Sequence, residues 1–392
     1  MKQKGELPPD LIYLDNNATT PIAPDVANEM AECLRHNFGN PSSAHFWGTM
    51  ARKAVEDARK QVAHLINAKP EEILFTSGGT EANNMAILGT ALRCKSGHII
   101  SSCIEHPSVT NPLMHLKGRD FTVTYLPVDK YSTVDPGVLI KHVRKNTILI
   151  TIMHSNNETG TIQPIADIGD IAHSKGIVFH CDAAQSVGKV PVNVRKLNVG
   201  LLTIVSHKFY GPKGVGALYI RRGTELTPIL YGASHEKGLR PGTENVSGIV
   251  GLGKASELAK EELKTRVRNM RYLTKFFYNN LSKEIPGVKL NGHPTKRLPN
   301  TLNLSFPNIP GSLLLDRLKN DIAASTGSAC HEGKHRPSTV LKSMGLSDAE
   351  AHSAVRLSLG RTTTEKQVRK AVKAIVKAYK SLSKNSSGSI SS

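Results

Sequence analysis

Lys208 is the residue of this chain best placed for covalent chemistry. It stands in Ser206-His207-Lys208-Phe209-Tyr210-Gly211-Pro212-Lys213-Gly214, directly after the apolar run Leu201 to Val205. The run reads as a buried strand, and the glycines and proline end it as a loop. An amine held at the mouth of a strand suits a Schiff base with an aldehyde cofactor, while Ser206 and His207 grip a phosphate.

Other segments carry complementary chemistry. Thr76-Ser77-Gly78-Gly79-Thr80-Glu81-Ala82-Asn83-Asn84 follows the apolar Ile73-Leu74-Phe75 and leads into a helical pattern from Asn84 to Leu92. Its glycines let the backbone approach a phosphate, and the helix N-terminus then holds the anion. No Gly-Lys-Ser/Thr follows, so it is not a Walker A loop. The competing reading is a glycine-rich turn with a threonine cap. His180-Cys181-Asp182-Ala183-Ala184-Gln185 follows the strand-like Gly176 to Phe179. An acid there pairs with a protonated pyridine nitrogen and makes the ring an electron sink, and Gln185 reaches a phenolic oxygen. Otherwise Asp182 simply caps the next helix. His106, in Ile104-Glu105-His106-Pro107, is placed to stack on such a ring and move protons.

Together these segments resemble pyridoxal-phosphate enzymes of the aspartate-aminotransferase fold, class V branch, and within it cysteine desulfurases and the related selenocysteine lyases. The resemblance extends through Tyr13-Leu14-Asp15-Asn16-Asn17-Ala18-Thr19-Thr20-Pro21, Gly39-Asn40-Pro41-Ser42-Ser43, Ser155-Asn156-Asn157-Glu158-Thr159-Gly160, Arg240-Pro241-Gly242-Thr243-Glu244-Asn245 and Ser325-Thr326-Gly327-Ser328-Ala329-Cys330. It implies a role for each matching residue. Lys208 carries the pyridoxal 5'-phosphate and moves protons. Asp182 partners the pyridine nitrogen, Gln185 the phenolic oxygen, and His106 stacks on the ring. Gly79, Thr80, Ser206 and His207 hold the phosphate. Thr243 is lent to the phosphate of the neighbouring subunit, which implies a homodimer. Asn157 lies beside the cofactor and, with Arg356, holds the substrate carboxylate; a guanidinium fork suits that task. Taken alone, Arg356 would read as a structural ion pair.

Cys330 decides the chemistry. It follows the small residues Ala323 to Ala329 and precedes the polar His331-Glu332-Gly333-Lys334-His335-Arg336-Pro337. That setting exposes a cysteine, and the basic neighbours favour its thiolate. Cys33, Cys94 and Cys103 read instead as buried small hydrophobes, and Cys181 as packing near the cofactor. In the resembled reaction Cys330 takes sulfur from L-cysteine as a persulfide and alanine leaves. The spacing from Cys330 to Pro337 and Val340-Leu341 resembles the long-loop desulfurases, which pass sulfur to an acceptor such as an iron–sulfur scaffold protein or a tRNA-thiolation relay. His331 also resembles selenocysteine lyases, so selenocysteine, with release of selenide, is the alternative substrate. No metal site is expected beyond a transient contact of Cys330 with an iron–sulfur cluster.

Strand and helix patterns alternate from about Asn16 to Leu258, with helices over Met50 to Leu65 and Ile165 to Lys175 and a strand over Ile148 to Met153. This argues an α/β fold: a large domain with a central, mostly parallel sheet sandwiched by helices. The cofactor residues fall at strand ends, where such sheets bind ligands. A long amphipathic helix from about Gly251 to Ile285 stops at Pro286-Gly287. Thr301 to Phe306 reads as a strand and Gln367 to Leu382 as a terminal helix, in a smaller α+β domain. The expected division is 18–263 for the large cofactor-binding domain, 1–17 and 264–382 for the small domain carrying the Cys330 loop, and a Ser/Gly-rich, disordered tail over 383–392.

Composition sets limits. The chain has 392 residues, ample for more than one core. No apolar run is long enough for a membrane helix, and Met1 to Asp10 lacks the apolar stretch of a secretory signal. Five cysteines without a CxxC indicate neither a disulfide framework nor a zinc site, so a reducing cytoplasm is expected. The net charge of +19 raises the rival idea of a basic scaffold for protein or nucleic acid. The basic residues are spread, densest over Lys260 to Arg271 and Lys366 to Lys384, without interleaved aromatics, so they read as solvated helix faces and nucleic acid is not expected. An ordinary aminotransferase would need Lys208 but not a mobile Cys330.

Overall fold

The computed structural model describes residues 11–326 and 337–388. Cys330 and the basic residues around it lie outside the described residues. The strands, in chain order, are β1 (Ile12–Tyr13), β2 (Ile73–Thr76), β3 (Gly97–Ser102), β4 (Phe121–Leu126), β5 (Thr147–Thr151), β6 (Val178–Asp182), β7 (Leu201–Val205), β8 (Gly216–Ile220), β9 (Lys289–Leu290), β10 (Thr301–Ser305), β11 (Ile322–Ala323) and β12 (Ala354–Ser358).

Seven strands form the main sheet in the order β2-β8-β7-β6-β5-β3-β4. β8 runs antiparallel to both neighbours and the other pairings are parallel. Two successive reversals leave β2 parallel to β7, so every strand except β8 ends at the same edge. That edge carries the loops beginning after Thr76, Ser102, Thr151, Asp182 and Val205. The strands read as near-continuous apolar runs because both faces are covered; β7 is buried at every position.

The helices agree with the sequence patterns apart from their ends. Phe46–Ile66 contains the expected Met50 to Leu65, and Ile165–Ser174 ends one residue short. The helix expected from Asn84 begins at Gly79. Glycines there read as loop, yet Gly78 takes the N-cap position at φ +147°, a conformation that favours glycine. The 39-residue helix Val246–Glu284 starts on Asn245, whose side chain accepts from the Gly248 amide, and stops before Pro286-Gly287. The last helix, Glu365–Gly388, continues past Ser383, where disorder was expected. No proline interrupts it there, and the Ser383 hydroxyl folds back onto the Tyr379 carbonyl.

Two large apolar clusters lie beside these sheets. One packs against the main sheet through Phe75, Phe179, Ile204 and Leu252. The other surrounds a second sheet, ordered β12-β10-β9, through Leu304, Phe306, Leu357, Phe277 and Ile375. The long helix contributes Leu252 to the first and Phe277 to the second. β1 pairs in parallel with β11, so Ile12 and Leu14 join the second cluster and the residues after them reach the open edge of the main sheet. No helix among the described residues is long and apolar enough to cross a membrane.

Candidate active site

A cavity of about 770 Å³ opens at that shared edge. Lys208, Asp182, His106, Gln185, Gly79, Thr80, His207, Asn157 and Arg356 all line it, so loops from five strand ends converge with β12. Ser206 lies behind it, fully buried, and Thr243 is exposed outside it.

Lys208 sits in a single helical turn at the end of β7, where Nζ donates to the carbonyls of Asn17 and Ala18 at 2.8 and 2.7 Å. Burial, reinforced by the Arg356 charge, pushes its pKa down to about 8. The amine is therefore far closer to its neutral, nucleophilic form than an ordinary lysine.

Asp182 ends β6. Its Oδ1 accepts from the Ala184 amide at 2.9 Å and its Oδ2 from Asn83 Nδ2 at 2.8 Å. The simple capping role is real, but the carboxylate also lines the cavity. Gln185 follows one turn later, donating to the Asn17 carbonyl and accepting from Lys189 Nζ, each at 2.8 Å. Lys189 is buried; desolvation and the charges of Lys208 and Arg356 hold it well below the usual lysine range. Sequence reading passed over it, because a lysine after Val187-Gly188 looks like a surface charge.

His106 is the N-cap of the helix Pro107–Lys117, with Nδ1 accepting from the Ser108 amide at 3.1 Å. Desolvation lowers its pKa, with Lys208 adding to the effect and Asp182 opposing it. His207 is pushed down to about 4 by burial and by Lys208, Lys213 and Lys189.

The end of the cavity near Gly79 fits a phosphate. The Ser206 hydroxyl is buried without a hydrogen-bond partner, and native structures rarely leave such a group unsatisfied. Beside it the helix Gly79–Ala91 begins on Gly78 with no side-chain cap, so its first amides are available to an anion. The threonine cap considered from sequence is not formed; the Thr76 hydroxyl instead bonds to the Gly78 carbonyl.

At the opposite wall Arg356, on β12, donates through Nη1 to the Asn157 carbonyl at 3.1 Å and through Nη2 to Asp15 Oδ1 at 2.8 Å. The ion-pair reading of this arginine holds, and the residue also lines the cavity. Its Nε is buried without a partner.

The remaining cysteines need one correction. Cys33 and Cys181 are buried, as expected, but Cys94 is exposed and Cys103 is half-buried. Cys94 falls in the turn between the helix Gly79–Ala91 and β3, flanked by Arg93 and Lys95, where nothing covers it.

A strand-end lysine, an acid one strand away and an uncapped glycine-led helix define a class of protein. The Aminotransferase class-V family model matches residues 12–371, and the chain belongs to that family. Among curated relatives, the cysteine desulfurase IscS of Dictyoglomus turgidum is 49% identical over 360 residues, covering 91% of this chain and 91% of the relative. The cysteine desulfurase IscS of Pseudomonas entomophila is 46% identical over 378 residues, covering 95% and 93%. Among solved structures, a NifS-like protein superposes with a TM-score of 0.88 at 38% identity, covering 95% of this chain and 99% of that one. SspA in complex with cysteine gives a TM-score of 0.77 at 37% identity, covering 89% and 98%.

Proposed function

We propose that this chain is a pyridoxal-phosphate-dependent cysteine desulfurase that converts L-cysteine to L-alanine and leaves the sulfur as a persulfide on Cys330. The observation that carries the reading is one cavity lined by the depressed Lys208 amine and the Asp182 carboxylate, with the unsatisfied Ser206 hydroxyl buried behind it. The names of the relatives support the substrate.

The residues present fit the cofactor. Ser206, His207, Thr80 and the amides from Gly79 onward would hold the phosphate, Asp182 the pyridine nitrogen, Gln185 the phenolic oxygen, and His106 the ring face. Pyridoxal phosphate, when bound, supplies an aldehyde for amines and an electron sink that acidifies the substrate Cα–H. Lys208 would hold the aldehyde, and its amine, depressed to about 8, is suited to move protons at the substrate Cα as a base. Arg356 and Asn157 orient the substrate carboxylate. The Cys330 thiolate attacks the substrate sulfur: an S–S bond forms, the Cβ–S bond breaks, and its electron pair leaves with the carbon fragment, which is protonated to alanine.

Thr243, exposed and outside its own cavity, is the residue we assign to a neighbour's phosphate, making the active form a homodimer. We assign 18–263 to a cofactor domain, and 1–17 with 264–382 to a small domain carrying Cys330. The acceptor is a protein such as an iron–sulfur scaffold, and the setting is cytoplasmic.

The test incubates purified protein with cysteine and, separately, selenocysteine, and measures alanine, sulfide, selenide and protein persulfide. Cys330→Ser retains cofactor and loses persulfide and nearly all alanine release from cysteine. Lys208→Ala abolishes or alters the cofactor absorption band. Full cysteine turnover by Cys330→Ser, or protein that takes up no cofactor, overturns the reading. Turnover confined to selenocysteine would make it a selenocysteine lyase.

A further inference from the structure

Arg356 is held before any substrate arrives. Two of its five guanidinium N–H donors are spent on the protein, Nη1 on the Asn157 carbonyl and Nη2 on Asp15, while Nε is buried and unpaired. Asp15 follows β1, lines the same cavity, and is the carboxylate in ion-pair contact with this guanidinium. Its Oδ1 also accepts from the Ser325 hydroxyl at 3.2 Å. Ser325 in turn is bridged to Arg356 through the backbone, its carbonyl accepting the Arg356 amide at 2.7 Å. Three distant stretches of chain are thus pinned at one carboxylate.

The arrangement has a physical purpose. The Lys189 and Lys208 amines lie in the same neighbourhood and both feel the Arg356 charge. A long side chain facing two other cations, with an unsatisfied Nε, would otherwise swing away or sample several rotamers. Ordering it at the moment of binding would subtract from affinity. Asp15 offsets the repulsion and meets that ordering cost in advance, leaving the remaining Nη hydrogens of the cavity-lining guanidinium for an incoming carboxylate.

We propose that Asp15 is a positioning residue that pre-orients Arg356 for the substrate α-carboxylate. The inference rests on the reading of Arg356 as the carboxylate site, and the test separates the two. Full-length holoenzyme turns over cysteine in the presence of L-alanine or ethylamine, two amines that differ by the carboxylate. Sulfide release gives each inhibition constant, and the alanine-to-ethylamine preference is compared across variants.

Asp15→Ala lowers that preference about tenfold, the scale of one charge-assisted hydrogen bond. It raises KM for cysteine by a similar factor with a smaller change in kcat. Asp15→Asn keeps an acceptor oxygen for Nη2 but not the charge, and recovers only part of the loss. Asp15→Glu keeps the charge but displaces the oxygens, lowers the preference, and carries the test if Asp15→Ala does not fold. An unchanged preference in Asp15→Ala or Asp15→Glu, or an Asp15→Asn as impaired as Asp15→Ala, overturns the proposal. Arg356→Met removes the preference altogether; a full preference in that variant would instead refute the assignment of Arg356.

Discussion

Asn83 Nδ2 donates to Asp182 Oδ2 at 2.8 Å, tying the start of the Gly79–Ala91 helix to the end of β6. The bond fixes the direction of a longer chain. A carboxylate only accepts, so the Asn83 amino group must face Asp182, and its second hydrogen goes to Ser108 Oγ at 2.8 Å. Asn83 Oδ1 accepts from the Thr203 hydroxyl at 2.6 Å, so Thr203 has no hydrogen left for His180 Nε2 at 3.1 Å and must accept from it. His180, pushed down to about 4 by burial, is neutral, and its Nδ1 accepts from Thr151. At the other end Ser108 spends its hydroxyl hydrogen on His106 Nδ1 at 2.7 Å.

His106 and His180 should therefore both be neutral near pH 7 with the proton on Nε2. Nitrogen-15 spectra of histidine-labelled protein, assigned with His106→Gln and His180→Gln, read this directly. An Nδ1-protonated or charged ring at either position contradicts the polarity of the chain.

Much of the cavity was legible in the sequence because its residues follow strand ends. Lys208, Asp182, His106 and Gly79 each come after a short apolar run, and parallel strands carry such positions to one edge. The supports were not legible. Asn83, Thr203 and His180 are partners across 99, 120 and 23 residues of sequence. Asn83 and Asp15 stood inside quoted motifs without a role. The available signal was a polar residue inside an apolar strand, as with Thr203 in Leu201–Val205, since a buried polar group must find a partner. The Gly79 helix start was missed because paired glycines read as loop, whereas here only Gly78 takes the positive φ and Gly79 already begins the helix.

The Lys208 amine should titrate near pH 8. In cofactor-free protein its reductive alkylation by a small aldehyde should rise through about pH 8 rather than the 10.5 of an ordinary lysine. Burial is the main cause and Arg356 the next, so Arg356→Met should move the midpoint upward. The folded pKa lies below the unfolded one, so between about 8 and 10.5 the unfolded chain binds the extra proton. This group's contribution to stability therefore grows with pH across that window and is lost as pH falls through 8. An alkylation midpoint near the ordinary value would contradict the site's electrostatics.

Glu105 should act in the opposite direction. It is buried next to His106 in the chain, with Oε1 accepting from Ser102 and the Met153 amide and Oε2 unpaired. Burial pushes its pKa up to about 8 from 4.5. Below 4.5 both states are protonated; between 4.5 and 8 the folded chain alone keeps the proton, so this contribution falls as pH rises. Glu105→Gln mimics the neutral acid and should flatten the dependence of Tm on pH between 5 and 8. Equal slopes for the two proteins would show that Glu105 is ionised in the fold.

Gly216 should matter to the cofactor although it touches none of the assigned residues' side chains. It opens β8, directly behind Gly78, which pairs sequence-distant backbone against the start of the phosphate-facing helix. A Cβ at Gly216 would lie 2.6 Å from the Ile204 carbonyl oxygen and 2.9 Å from Gly78 Cα. Both neighbours are backbone, so neither can rotate away, and the relief must come from moving the Gly78 turn or separating β8 from β7. Overpacking of this kind costs about 1–3 kcal/mol, and here the strain falls on the turn that aims the free amides. Gly216→Ala should lower Tm and weaken pyridoxal-phosphate binding about tenfold or more, measured by fluorescence titration of cofactor-free protein. Gly214→Ala is the comparison. Gly214 has a positive φ, +77°, and nothing lies within 4 Å of its added Cβ. That variant should lose stability through backbone strain while holding the cofactor nearly as tightly as the parent. Equal losses of cofactor affinity in the two variants would mean that the close approach of Gly216 to Gly78 does not shape the phosphate site.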